Sequence, residues 1–186
     1  MAELLENESR ATSSWVMDHA HSSVEFAVKH MVITTVRGRF AQFQADLDFD
    51  PAAPELSSVE ARIDAASIDT RSADRDAHLR SPDFLDVERY PHILFRSKRV
   101  EPLGAGRYRI VGDLTIRDVT REVALDATFA GVGKNPWGKQ VAGFSAETAI
   151  NRKEFGLNWN VALETGGWLV GDEVRIFLEM EATQEG

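Results

Sequence analysis

The sequence predicts an all-β protein in which eight antiparallel strands close into a barrel, with a short helical insertion between the third and fourth strands. Eight stretches alternate apolar and polar residues with a period of two, which is typical of strands that bury one face. Only residues 70–90 lack this alternation and are typical of helix. An open sheet would leave two unprotected edges, whereas a closed barrel has none and turns its apolar face into a lumen.

Composition and charge exclude several classes of protein. The formal net charge of −9, spread along the strands, argues against a nucleic-acid-binding protein and against a basic membrane-surface patch. With no cysteine, disulfides, thiolate metal sites and cysteine nucleophiles are excluded. No stretch is apolar enough for a transmembrane helix, so an integral membrane protein is not expected. We expect a flexible leader over residues 1–14, a single domain over residues 15–186 and a cytoplasmic location.

The first two strands show most clearly which positions, even or odd, face the core; this is called the phase of a strand. The first covers residues 15–30, and the second covers residues 36–50 but changes phase within its length. Phe40 holds an even position on the apolar face, whereas Phe43 holds an odd one. Such a change requires an extra residue, so a β-bulge at a barrel corner is predicted near residues 41–42. The other strands are placed at residues 59–65, 92–100, 107–116, 121–130, 140–150 and 173–182.

Two connections between strands have local signals of their own. Thr70 is predicted to cap a short helix that ends at Leu79, and Ser81-Pro82 has the order of a second helix start. Asp74, Arg75 and Asp76 are most simply a solvated face of the first helix. The connection at residues 116–120 is short, which predicts a hairpin between the strands on either side.

The apolar phase of the strands predicts which side chains face the lumen. They are Phe26, Val28, Phe40, Ile63, Phe95, Ile110, Leu114, Phe129, Phe144 and Ile176. Phe95 belongs to a strand whose phase is ambiguous. His30 shares the apolar face of the first strand, either as a hydrogen-bonded buried histidine or as a polar contact at the mouth of a cavity.

The connection at residues 151–172 has no periodicity, and loops of this length are usually functional in compact domains. Trp159 and Trp168 need a surface to pack on, so we expect this loop to form or gate the mouth of the lumen. Arg152 at its base has two possible roles. It could contact the head group of a ligand, or it could pair with a carboxylate and hold the loop to the barrel.

Signals for catalysis or metal binding are weak. The one cluster that suggests a metal, Asp18-His19-Ala20-His21 with His30, has His30 on the opposite parity, and hydrogen-bonded strand-edge groups are the simpler interpretation. His21 and Ser22 are adjacent in a strand and would point to opposite faces, which is unsuitable for a base and its nucleophile. No phosphate loop or nucleophile elbow is present. We therefore expect no catalytic residue, no metal and no cofactor.

A series of short motifs resembles the YceI-like family over residues 15 to 182. In order they are Trp15-x-x-Asp18-x-x-His21-Ser22, Phe26-x-Val28-Lys29-His30-Met31, Gly38-x-Phe40, Asp69-Thr70, Asp76-x-His78-Leu79-x-Ser81-x-Asp83-Phe84, Tyr90-Pro91-x-Ile93-x-Phe95, Gly112-Asp113-Leu114-Thr115 and Ile150-Asn151-Arg152-x-x-Phe155-Gly156-Leu157. The resemblance implies an extended, lipocalin-like barrel that binds a polyisoprenoid or related long-chain lipid in its lumen, commonly as a homodimer. It supplies no catalytic residues.

Three functions remain open at this point. The first is a soluble protein that holds a long-chain isoprenoid lipid for transport or storage. The second is an enzyme acting on an isoprenoid or another small apolar substrate, with His30 or His21 as acid–base; it would need a second titratable group beside the histidine. The third is a barrel packed solid, which would act only through its outer surface.

Overall fold

A computed structural model of the chain describes residues 13–186. The predicted leader lies outside the described residues, except for residues 13 and 14, which belong to the first strand. The strands are β1 (Ser13–His30), β2 (Thr34–Phe40), β3 (Phe43–Phe49), β4 (Ser58–Asp64), β5 (Ile68–Asp69), β6 (His92–Gly104), β7 (Arg107–Ile116), β8 (Val119–Lys134), β9 (Gln140–Asn151) and β10 (Val170–Gln184). The helix α1 spans Ala73–Arg80, and short 3₁₀ turns occupy Pro54–Leu56, Ala65–Ser67 and Arg152–Phe155.

The strands close into an eight-stranded antiparallel barrel, as predicted. Around the ring the order is β1, β3, β4, β6, β7, β8, β9 and β10, and β10 pairs again with β1. β1 is long enough to pair with β3 near its start and with β2 near its end. β2 and β3 together occupy the predicted second strand, and the phase change is confirmed because Phe40 and Phe43 both line the cavity. The predicted β-bulge is not what produces it, since the strand breaks into two at Ala41 and Gln42. The small strand β5 pairs with the end of β2.

A wide bulge in β1 was not predicted. Asp18 pairs with Glu181 and Ser23 pairs with Glu179, so five steps along β1 match two along β10. The bulge reverses the phase of β1, because Trp15 packs inside on an odd position and Phe26 on an even one. Before the bulge β1 pairs with β3, and after it β1 pairs with β2.

The helical insertion is confirmed as α1, but its start and its extent differ from the prediction. The N-cap is Ser72 rather than Thr70, since Ser72 Oγ accepts a hydrogen bond from the backbone N–H of Arg75. The second helix predicted at Ser81-Pro82 does not form. Ser81 instead ends α1 by donating its hydroxyl to the His78 carbonyl, and the chain continues in turns with Asp86 at φ +48°.

The predicted hairpin between β7 and β8 is confirmed. Ile116 pairs with Val119, which leaves Arg117 and Asp118 as a two-residue turn with Arg117 at φ +57°. Within residues 13–186, no helix is both long enough and apolar enough to cross a membrane.

Candidate functional site: an apolar cavity within the barrel

The barrel encloses a cavity of about 480 Å³, within the usual size range of small-molecule sites. At one end, called here the aromatic end, Phe49, Phe129 and Phe144 pack with ring centroids 5.0–5.3 Å apart. At the other, called the loop end, the wall is completed by α1 and by the loop between β9 and β10. The barrel is therefore not packed solid, which removes the third of the open functions.

The side chains predicted to face the lumen do so. All ten strand positions lie on the cavity wall, Phe95 included, and so do His30, Arg152 and Trp159. Trp168 is the exception: it is 57% exposed, forms an isolated bridge with Ala162 and does not line the cavity. The binding of a ligand by these residues stays a prediction.

Two glycines leave space for aromatic rings in the lumen. A Cβ atom at Gly112 would lie 2.6 Å from the Phe95 ring and 2.5 Å from the Arg96 carbonyl oxygen. A Cβ atom at Gly38 would overlap the Phe26 ring in the same way. Each phenylalanine ring therefore lies over a glycine of the neighbouring strand, and these rings could not keep their positions beside a larger residue.

Arg152 organises the loop of residues 151–172. It is 3% exposed, and its guanidinium donates to the backbone carbonyls of Leu157, Trp159, Val170 and Gly171. Its Nη2 also lies 3.8 Å from an Asp172 carboxylate oxygen. Burial lowers the pKa of Arg152, and Asp172 partly opposes that shift. Because the loop already engages its donors, the geometry favours the loop-holding role over contact with a ligand head group.

Aromatic contacts join this loop to α1. The Trp159 ring lies 4.5 Å from the His78 ring and 5.4 Å from the Phe84 ring, measured between centroids. His78 is fixed in turn, since its Nε2 lies 2.9 Å from an Asp83 carboxylate oxygen. All three rings line the cavity, so side-chain contacts hold α1 and the loop together at the loop end.

A polar network at the loop end corrects the prediction for Asp76, which was expected to lie on a solvated helix face. Asp76 is buried, and one carboxylate oxygen accepts from the backbone N–H and the hydroxyl of Thr70, at 2.9 and 2.6 Å. Arg75 donates its Nε to Thr70 Oγ1 and an Nη2 hydrogen to the Thr70 carbonyl. Thr70 and Arg75 line the cavity, so they place hydrogen-bonding groups beside an otherwise apolar wall. The only signals were that Thr70 and Asp76 each stand in a family motif.

The two histidines considered as acid–base groups, His21 and His30, lie in different surroundings. Within the described residues, the ring of His30 has no hydrogen bond or ion pair to a second titratable group, although His30 lines the cavity. His21 lies at the β1 bulge, with Nδ1 2.9 Å from an Asp18 carboxylate oxygen. Asp18, His21 and Glu181 offer ligand atoms within 4.8 Å of one another, and the hydrogen bond between Asp18 and His21 accounts for the proximity of those two.

The Asp18–His21 pair should be visible in a titration. Its hydrogen bond raises the pKa of His21 and lowers the pKa of Asp18. The stabilisation from His21 is present below the ordinary histidine pKa of about 6.5 and is lost as pH rises through the raised value. That from Asp18 is lost as pH falls through its lowered value. We expect NMR titration to place the His21 midpoint above 6.5 and Asp18→Asn to lower it, although Glu181 still favours the charged imidazole. An unshifted midpoint in the unmodified protein would contradict the pairing.

A closed antiparallel barrel around an apolar cavity defines a class of small-ligand-binding folds. Within that class, a model of the YceI-like domain matches residues 15–182, and the chain belongs to the YceI-like family. It is similar to a UPF0312 protein of Staphylococcus epidermidis, at 42% identity over 161 residues that cover 85% of this chain and 90% of that protein.

Solved structures have the same fold. The crystal structure of BcnA from Burkholderia cenocepacia superimposes with a TM-score of 0.80 at 29% identity, covering 90% of this chain and 99% of that one. A polyisoprenoid binding domain from Saccharophagus degradans, implicated in plant cell wall breakdown, superimposes with a TM-score of 0.67. It covers 94% of this chain and 99% of its own, but at 11% identity it shows the fold alone.

Proposed function

We propose that the protein binds a polyisoprenoid or a similar long-chain lipid inside its barrel, for transport or storage. The observation that carries this proposal is the cavity of about 480 Å³ with walls made of inward-facing apolar side chains. The name of the Saccharophagus degradans domain supports the isoprenoid class as the ligand to test first. The enzyme alternative has less support, because His30 has no titratable partner within the described residues.

Burial of a lipid chain in the cavity can offset the free-energy cost of association. Each methylene group moved from water into an apolar site contributes about 0.8 kcal/mol. Association costs an estimated 4–15 kcal/mol in lost translational and rotational freedom. About ten buried methylene equivalents would contribute about 8 kcal/mol, so a chain of several isoprene units offsets much of this cost and a longer one exceeds it.

Tryptophan fluorescence offers a test of the proposal. Trp159 lines the cavity, so adding a long-chain isoprenoid alcohol to delipidated protein should change its emission in a saturable way. Trp159→Phe should remove most of that change, since Trp15 is buried at the aromatic end among protein side chains. If saturation is absent and the isoprenoid does not displace an apolar dye, the cavity does not bind this class of ligand.

Removing the Trp159 ring should speed ligand release. Trp159→Ala would open the contact between the loop and α1, because this ring touches both His78 and Phe84. If the closed loop end loses about 1.4 kcal/mol of stability relative to the open one, the dissociation rate rises about tenfold. Stopped-flow fluorescence with a dye-labelled isoprenoid measures that rate. Trp137→Ala is the matched control, since Trp137 lies in the β8–β9 connection and does not line the cavity, and equal rates in the two variants would contradict a closing role for Trp159.

The homodimer and the cytoplasmic location stay predictions. Light scattering on the purified protein would check the first of them.

A further inference from the structure

The loop end carries a cluster of exposed apolar side chains, called here the apolar rim. Its members are Met31, Val32, Ile33, Val161 and Trp168, which are 38%, 75%, 78%, 46% and 57% exposed. They come from two segments that are joined by backbone hydrogen bonds: Met31 N–H donates to the Leu169 carbonyl, and Leu169 N–H donates to the Val161 carbonyl, both at 2.9 Å. The rim is therefore one continuous surface on two loops.

The turn at the centre of the rim is strained. The Ile33 N–H donates to the His30 carbonyl at 3.1 Å, so Met31 and Val32 are the two central residues, with φ of +53° and +64°. Two positive φ angles suit Asn-Gly, and a β-branched valine in this region is a rare outlier. Folding and solubility would both favour polar residues here. The apolar side chains at this turn therefore point to a role outside the fold.

The apolar rim adjoins the cavity. His30 precedes the turn, Leu169 and Val170 follow Trp168, and all three line the cavity wall. The outward faces of the strands behind the turn carry the basic residues Lys29, Arg37 and Arg175, and also the acidic residues Glu25 and Glu173. An exposed apolar cluster beside the cavity wall, with cationic side chains among those behind it, suits a segment that enters a lipid surface.

We propose that the protein docks on a lipid bilayer through the apolar rim and loads or unloads its ligand there. This inference rests on the proposed function, because a long-chain isoprenoid resides in a bilayer. A lipid surface is favoured over a second copy of the chain for two reasons. The rim adjoins the cavity wall, so a bilayer in contact with it could exchange the ligand directly, whereas a copy seated on it would cover the loop end of the cavity. Tryptophan at the rim suits the polar–apolar boundary of a membrane.

Vesicle flotation tests the docking. Delipidated protein should float with vesicles of phosphatidylcholine and phosphatidylglycerol, and Ile33→Ser should lower the bound fraction about tenfold, since a buried isoleucine is worth about that factor. The matched control is Trp137→Ser, because Trp137 is 83% exposed but lies in the β8–β9 connection at the aromatic end. Equal loss in both variants, or no flotation of the unmodified protein, would overturn the proposal.

A second variant separates docking from folding. Val32→Gly removes an apolar side chain and relieves the positive φ, so it should raise the melting temperature while lowering vesicle binding. A lower vesicle binding without loss of structure supports docking; unchanged binding overturns it. Light scattering tests whether the rim instead joins two copies of the chain. If the unmodified protein is a dimer, Ile33→Ser converts it to a monomer and vesicle binding is unchanged, the rim is a self-association surface and the docking proposal is overturned.

Fluorescence titration with the isoprenoid alcohol keeps the two proposals apart. If the lipid is bound and vesicles are not, only the docking fails. If vesicles are bound through Ile33 and no lipid enters the cavity, the proposed function fails, and the rim remains a membrane-binding surface with another purpose.

Discussion

Phe129→Asp is expected to abolish uptake of a long-chain isoprenoid. Phe129 stacks on Phe144 at 5.3 Å and meets Phe49 at 5.0 Å, so the new carboxylate would lie at the apolar floor of the cavity. An unpaired charge in such surroundings costs several kcal/mol, and about 3 kcal/mol already corresponds to a hundredfold weaker affinity. Fluorescence titration of the delipidated variant gives the affinity.

The control for this substitution lies on the opposite face of the wall. Phe177 points outward on β10, with the guanidinium carbons of Arg175 and Arg37 at 5.1 and 6.0 Å from its ring centroid, so Phe177→Asp should leave uptake unchanged. If Phe129→Asp does not fold, Ala146→Phe is the alternative variant, because it fills the lumen without adding a charge. Ala146 lines the cavity and pairs with Ala127 on the neighbouring strand. Undiminished uptake in a folded variant would show that the lipid tail binds elsewhere.

Arg152→Gln is expected to destabilise the protein strongly. The substitution would leave several carbonyls of the loop without a donor and Asp172 without one of its cationic neighbours. Breaking a buried charged network of this kind costs about 3–5 kcal/mol. For a domain of this size the melting temperature should fall by roughly 6–20 °C. Thermal unfolding followed by circular dichroism measures the change.

The two roles open for Arg152 give different results in this experiment. If Arg152 contacts the head group, Arg152→Gln should weaken lipid binding and change the unfolding temperature little. If Arg152 organises the loop, the unfolding temperature should fall strongly and lipid binding should change less. Arg121→Gln is the matched control. Arg121 also donates to a loop carbonyl, that of Glu154, but it is exposed and its loss should cost little. An unchanged melting temperature in Arg152→Gln would contradict the organising role.

Most of the fold could be predicted because strand alternation is a local property. The eight strands of the ring, the phase change at residues 41–42 and the two-residue hairpin at Arg117-Asp118 all follow from phase and from connection length, although a break between two strands stands where a β-bulge was predicted. The bulge between Asp18 and Ser23 does not, because it is set by the register of β1 against β10, which lie at opposite ends of the chain. The missing second helix at Ser81 has a similar cause, since its hydroxyl bonds backward to α1.

The site was predictable only where a side chain is apolar and lies in a strand. Such residues enter the lumen by parity alone, as Phe129 and Ile176 show. The partners of Arg152 are backbone carbonyls, which leave no mark in the sequence. Loop residues have no phase, so nothing distinguished Trp159, which lines the cavity, from Trp168, which does not. The burial of Asp76 depends on Thr70, six positions away across a turn.

Solvent extraction of the purified protein followed by mass spectrometry tests the occupancy of the lumen most directly. The predicted result is a polyisoprenoid or a similar long-chain lipid, at about one molecule per chain for a cavity of this kind, and its loss from Phe129→Asp purified in parallel. Phe177→Asp should retain the lipid. An extract without any such lipid, from protein that also fails to take one up after delipidation, would contradict lipid binding in the barrel.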